Sequence, residues 1–158
     1  KESSAASDVY KRQGYLDTLK RNNLDVIPEY VVETNQTEKE GYEAMEQLLK
    51  SDDCPTGIYC VNDITAVGML KYLGRCRNLY FTPSIIASDD IEEAQYTKPM
   101  LTTVGLPKEE MGKFALYLLL DRMKGGHSGV VRMELSGHLM IRNSCSHVSE
   151  STWSDYCI

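Results

Sequence analysis

Two short apolar runs without charges, each closing on a pair of acidic or amide residues, constrain this chain most. Thr56–Val61 (TGIYCV) follows Pro55 and ends at Asn62–Asp63, and residues 84–87 (SIIA) end at Ser88–Asp89–Asp90. A brief, uncharged run bounded by turn signals reads as a strand buried on both faces, which is how strands of a parallel sheet look. Helical patterns lie between and around these runs. Asp8 to about Asn22 carries Val9, Tyr15, Leu16 and Leu19 at roughly helical spacing. Thr37–Lys50 repeats Tyr42, Met45, Leu48 and Leu49, and Thr37 with Glu40 fits a capping box. A further helix is expected from Asp63 to Leu73, and a strongly apolar one from Lys108 to Lys124 with Met111, Phe114, Ala115, Leu118 and Leu119 near one face, closed by Gly125–Gly126. Residues 28–33, 101–104, 130–135 and 138–142 suit further strands, and residues 1–7 read as a loop whose Ser7 caps the first helix. Alternating strands and helices imply an α/β fold with a parallel sheet flanked by helices and right-handed crossovers. Ligands of such sheets sit at the carboxyl ends of the strands.

That rule directs attention to Asn62, Asp63, Asp89 and Asp90. A carboxylate or amide at the mouth of a sheet can hold the hydroxyls of a polyol, and it can equally cap the helix that follows. Helix capping is the favoured reading for Asp63, ligand contact is favoured for Asn62 and Asp89, and Asp90 suits both.

Other chemistries lack their residues. The 158-residue chain carries a net charge of −6, which opposes a DNA-binding face of its own. The basic group Lys11, Arg12, Lys20 and Arg21, with Arg75 and Arg77, reads as solvated helix surface. His127, His138 and His147 stand in no metal-ligand spacing, so no metal and no cofactor is expected, and neither a nucleophile elbow nor a glycine-rich phosphate loop occurs. No catalytic constellation is visible, and a phosphoacceptor receiver lacks its third Asp and late Lys. The five cysteines, Cys54, Cys60, Cys76, Cys145 and Cys157, are odd in number and form no CxxC, which suits reduced thiols in a cytoplasmic protein, with Cys60 inside a buried strand. No apolar run is long enough for a membrane helix. The start at Lys1 suggests a fragment or processed form, and residues 146–158 read as a loose tail.

The ordered segments resemble a known family. PTGIYCVNDITAVGMLKYL (55–73), SIIASDDIEEAQYTKPMLTTVGLPKEEMGKFALYLLLDRMKGG (84–126) and LMIRNSC (139–145) are similar, in order and spacing, to the lactose/galactose-repressor (LacI/GalR) family of transcription regulators. The resemblance implies a type I periplasmic-binding-protein-like fold of two α/β subdomains with a small-molecule effector between them. It assigns residues 1–104 and 136–145 to the C-terminal subdomain and 105–135 to a remnant of the N-terminal one, with no counterpart for the DNA-binding head. It also implies that the helix 108–124 loses its usual neighbours.

The resemblance implies effector contacts at Asp89, Asn62, Ser7, Gln36 and Lys11, with Arg12 next door. Lys11 stands where the family usually has a clamping Arg, Gln36 where it often has an aromatic residue, and Ala87–Ser88 replaces a more usual Gly–Tyr or Gly–Phe. The implied effector is a carbohydrate or sugar-like metabolite. The helix 63–73 resembles the family's dimerisation helix, which would place Ile64, Val67, Met69 and Leu70 at a homodimer interface; a helix buried on two sides within one chain explains the same pattern. DNA would be reached only through an upstream head. A solute-binding protein of a sugar uptake system, with the same fold, is the alternative.

Overall fold

In the computed structural model, which describes residues 2–50, 54–76 and 83–147, four strands form one sheet in the order β1 (Gly57–Tyr59), β2 (Ser84–Ser88), β3 (Thr102–Gly105), β4 (His138–Met140). The first three are parallel and β4 returns antiparallel to β3, pairing His138 with Gly105. Four helices accompany them: α1 (Glu2–Arg21), α2 (Glu38–Leu49), α3 (Asp63–Leu73) and α4 (Lys108–Met123). The expected α/β architecture is therefore present.

The core lies between the sheet and the pair α2–α3. Met45 of α2, Ile85 of β2 and Leu101 ahead of β3 are fully buried, joined by Leu48, Met69, Leu70 and Leu73. Each such side chain contributes roughly 1.5–3 kcal/mol of burial. Two glycines set how closely the helices approach. A Cβ on Gly41 would overlap the Thr65 carbonyl, and one on Gly68 would overlap that of Glu38. Thr37 caps α2 by accepting from the Glu40 amide at 3.2 Å. The reciprocal half of the expected box is diverted: the Glu40 carboxylate takes the Asn35 backbone amide and its side-chain amide, and the latter bond holds Glu40 below the usual carboxylate range.

Several expectations are corrected. The segment 2–7 is not a loop but the first part of α1, so Ser7 is not a cap; its stretch of Glu, Ser and Ala contains no Gly or Pro to stop the helix. The helix ends at Arg21, close to the expected end, and is closed by Asn23 (φ 55°), after which the Leu24 amide donates to the Leu19 carbonyl. Residues 28–33 are not a strand. Pro28 opens a single 3-10 turn (Pro28–Tyr30), and the chain after it pairs with no strand. Residues 130–135 are not a strand either; they join no strand of the sheet, and Val130 is 98% exposed. Cys60 is buried as expected, one residue beyond the end of β1. Arg77 and Cys157 and most of the tail, 148–158, lie outside the described residues.

Candidate functional site

The carboxyl ends of β1 and β2 lie side by side, because these strands are adjacent and parallel. After β1 the chain runs through Cys60 and Val61 into α3; after β2 it turns sharply through Asp89 (φ 136°) and Asp90 (φ 47°). Two consecutive non-glycine residues in that region are costly, and this backbone strain is held by the surrounding bonds. The Asp89 amide donates to the Val104 carbonyl at 3.0 Å, and the Asp90 amide points to Thr103 Oγ1 at 3.4 Å.

Lys11 of α1 reaches across this corner. Its Nζ donates to the Val61 carbonyl at 2.9 Å and pairs with Asp89 Oδ1 at 3.2 Å. Asp89 keeps 35% of its side chain exposed, so the carboxylate remains within reach of a ligand. Asn62 stands beside them. Its Oδ1 accepts from the Thr65 amide at 2.9 Å, capping α3, while Nδ2 donates to Gln36 Oε1 at 3.2 Å. The structure thus brings Asp89 and Lys11 together, and Asn62 with Gln36. Arg12 is exposed and lines a cavity between α1 and β1. Ser7 lies within α1, and its side chain is outside the described residues.

The other two acidic residues serve the frame. Asp63 is not the cap of α3; that role falls to Asn62. Fully buried, Asp63 accepts from Thr103 Oγ1 at 2.5 Å and from the Ile91 amide at 3.0 Å, tying α3 to β3 and to the turn after β2. Asp90 pairs with Arg142 at 2.6 Å, and Arg142 also donates to the Leu101 carbonyl at 2.9 Å. The resemblance includes 139–145 but assigns no role to Arg142 or Ser144. Ser144, 4% exposed, closes the same seam: it donates to the Ile85 carbonyl and accepts from the Thr102 amide.

Of the four residues assigned to a dimer face, Met69 and Leu70 belong to the chain's own core and Val67 is buried; Ile64 is 37% exposed. The two-sided burial of α3 accounts for the first three. Among the described residues, no group of three or more His, Cys, Asp or Glu is arranged to hold a metal ion, and His127 pairs with Asp121 at 2.6 Å.

Residues 2–145 match the family of periplasmic binding protein-like domains. The chain belongs to that family. Within it the resemblance to LacI-family effector-binding domains holds. The chain is 37% identical over 137 residues to the HTH-type transcriptional repressor CytR of Escherichia coli, covering 85% of itself and 40% of that protein. Against the HTH-type transcriptional repressor PurR of Photorhabdus laumondii it is 32% identical over 149 residues, 92% of itself and 42% of the relative. The chain therefore spans about two fifths of the length of these curated relatives. Among solved structures, a LacI family transcriptional regulator from Enterococcus faecium with bound ribose superposes with a TM-score of 0.76 at 27% identity, over 87% of this chain and 51% of that one. Both curated relatives bear the name HTH-type transcriptional repressor. Among the described residues, no helix is long and apolar enough to cross a membrane.

Proposed function

We propose that this chain is the effector-sensing part of a cytoplasmic, non-enzymatic LacI-family transcription regulator, and that a small polyhydroxylated molecule binds at the corner formed by Asp89, Lys11, Asn62 and Gln36. One observation carries the reading: the Asp89–Lys11 pair, partly exposed, sits where two adjacent parallel strands end. A carboxylate accepts hydroxyl hydrogen bonds and a lysine donates them, and both are present within 3.2 Å of each other. Lys11 is a point donor where a guanidinium would clamp with two, so the site favours a neutral, hydroxyl-rich ligand over a carboxylate or phosphate that needs a fork. The ribose bound to the Enterococcus faecium regulator supports a sugar or sugar-like effector.

Residues 1–104 and 136–145 form the subdomain that carries this corner, and 105–135 belong to the opposite subdomain. That division is supported by α4, none of whose residues is buried here. The effector acts by binding one arrangement of the two subdomains more tightly and so biasing a two-state equilibrium that a DNA-binding head reads. A homodimer of the intact protein uses Ile64, the exposed member of the α3 set. The names of the relatives, HTH-type repressors, favour a regulator over a solute-binding protein of an uptake system.

The test is a thermal-shift and calorimetric screen of the intact protein with ribose, cellobiose and other sugars, repeated with Asp89→Ala. The expected result is a ligand whose affinity falls about tenfold to a hundredfold in the variant, the loss of one or two charge-assisted hydrogen bonds. Unchanged affinity would remove Asp89 from the site and overturn the reading.

A further inference from the structure

A cavity of about 430 Å³ lies between α1 and β1, the edge strand of the sheet. Tyr15 and Leu16 line it from α1, Ile58 and Tyr59 from β1, and Met69 from α3. Asp89, Lys11 and Asn62 are not part of its wall; it adjoins the polar corner at Gln36 and at Val61, whose carbonyl holds Lys11. Its volume is that of a site for a small organic ligand.

One wall residue points to an occupant. Thr65 is 6% exposed, and its Oγ1 is buried with no hydrogen-bond partner among the described groups. A buried hydroxyl without a partner is costly, and a cavity beside it is where the missing partner belongs. The remaining wall limits what that partner is. Tyr15 and Tyr59 present nearly parallel rings, 10° apart in plane with centroids at 6.2 Å, a surface suited to a flat ring. Arg12 and Glu33 line it too, with opposite charges, and the apolar interior disfavours an ion.

We propose that this cavity is a second binding compartment for a small uncharged molecule with a flat aromatic body and one hydrogen-bonding group that pairs with Thr65 Oγ1. A small rotation of the threonine side chain, of the kind binding sites commonly make, completes the bond. The proposal does not depend on what binds at Asp89.

The test uses 2-naphthol, neutral at pH 7 and fluorescent, titrated into the full chain. Saturable one-to-one binding is expected. Thr65→Val keeps the shape and removes the hydroxyl, and should weaken binding about fivefold to tenfold. Leu16→Trp fills the space from the α1 side and should weaken it by at least about tenfold, with circular dichroism confirming the fold. Asp89→Ala and Phe114→Ser should leave binding unchanged, the first separating this compartment from the polar corner and the second from the exposed face of α4. No saturable binding would mean that water alone fills the cavity. That result, insensitivity to Thr65→Val, or loss in Phe114→Ser would each overturn the proposal. Should Leu16→Trp fail to fold, Thr65→Val decides alone.

Discussion

Helices α3 and α4 are both rich in apolar residues, yet one is mostly buried and the other has no buried residue. In α3, eight residues from Asp63 to Leu73 are buried. In α4, which is longer, none is, and Met111, Phe114, Leu119 and Met123 are each at least 38% exposed. The apolar fractions of the two helices are similar, 7 of 11 residues against 9 of 16, although α4 carries more charge. What separates them is whether a matching surface exists. α3 follows directly from β1, packs against α2 at glycine-controlled distance, and is tied to β3 through Asp63. α4 follows β3 and leaves the sheet, with a lysine at its start donating to the Asp90 carbonyl at 3.1 Å. An apolar face is thus a demand for a partner, and the same demand is met in one place and left open in the other.

If glycine-limited approach is what buries α3, then a side chain at that contact should break it. Gly68→Val forces a branched side chain against the Glu38 backbone, which cannot move without displacing α2. We expect a loss of about 3 kcal/mol or more, at the upper end for overpacking, read as a drop in the urea midpoint. A midpoint close to that of the parent chain would show that α2 and α3 tolerate separation. Next in size is Asp63→Ala. It leaves the Thr103 hydroxyl and the Ile91 amide without their acceptor and should cost about 2–3 kcal/mol by the same measurement.

These two positions also show where the sequence was informative. The periodicity of 37–50 and 63–73 and the uncharged runs around Ile58 and Ile85 led to the right elements, because burial leaves a local signature in helices and inner strands. Residues 28–33 and 130–135 share strand-like composition but pair with no strand of the sheet, and partnership is a non-local fact that composition does not carry. Choosing between Asn62 and Asp63 as the cap needed the positions of Thr65 and Thr103, forty residues apart from Asp63 in the latter case. The chemistry of Asp89 was legible from its place after a strand. Its pairing with Lys11, 78 residues away, was not, and the resemblance only put both at one site. Arg142 escaped because an arginine near a chain end reads as surface until its carboxylate partner is known.

A third measurement sharpens the contrast through pH. Cys60 packs its sulfur 3.4 Å from Met69 of α3, and burial, then the negative charge of Asp63, pushes its thiol up to about 12. The unfolded chain releases that proton near the ordinary thiol value, whereas the folded chain holds it. Between about pH 9 and 12 the folded state therefore binds one proton more, and stability falls by ~1.4 kcal/mol per pH unit from this group. Below that window Cys60 contributes no pH dependence. Cys60→Ala should remove this part of the alkaline slope, seen as the difference between parent and variant denaturation curves. An identical slope in both would mean that the interior beside α3 is wetter than its burial indicates.

The smallest effect belongs to α4. Leu119 is 55% exposed, so Leu119→Gln removes little buried area and introduces a side chain of similar helix propensity. Stability of this chain should change by no more than about 0.5 kcal/mol, the ordinary range for surface substitutions, while its tendency to self-associate at high concentration should fall. Sedimentation velocity beside urea denaturation separates the two quantities. The outcome discriminates sharply, because the same substitution at Leu70 of α3 would bury an unpaired amide in the core. A large destabilisation at Leu119 would mean that α4 has found a partner surface within the chain in solution, and the difference between the two helices would then be one of degree.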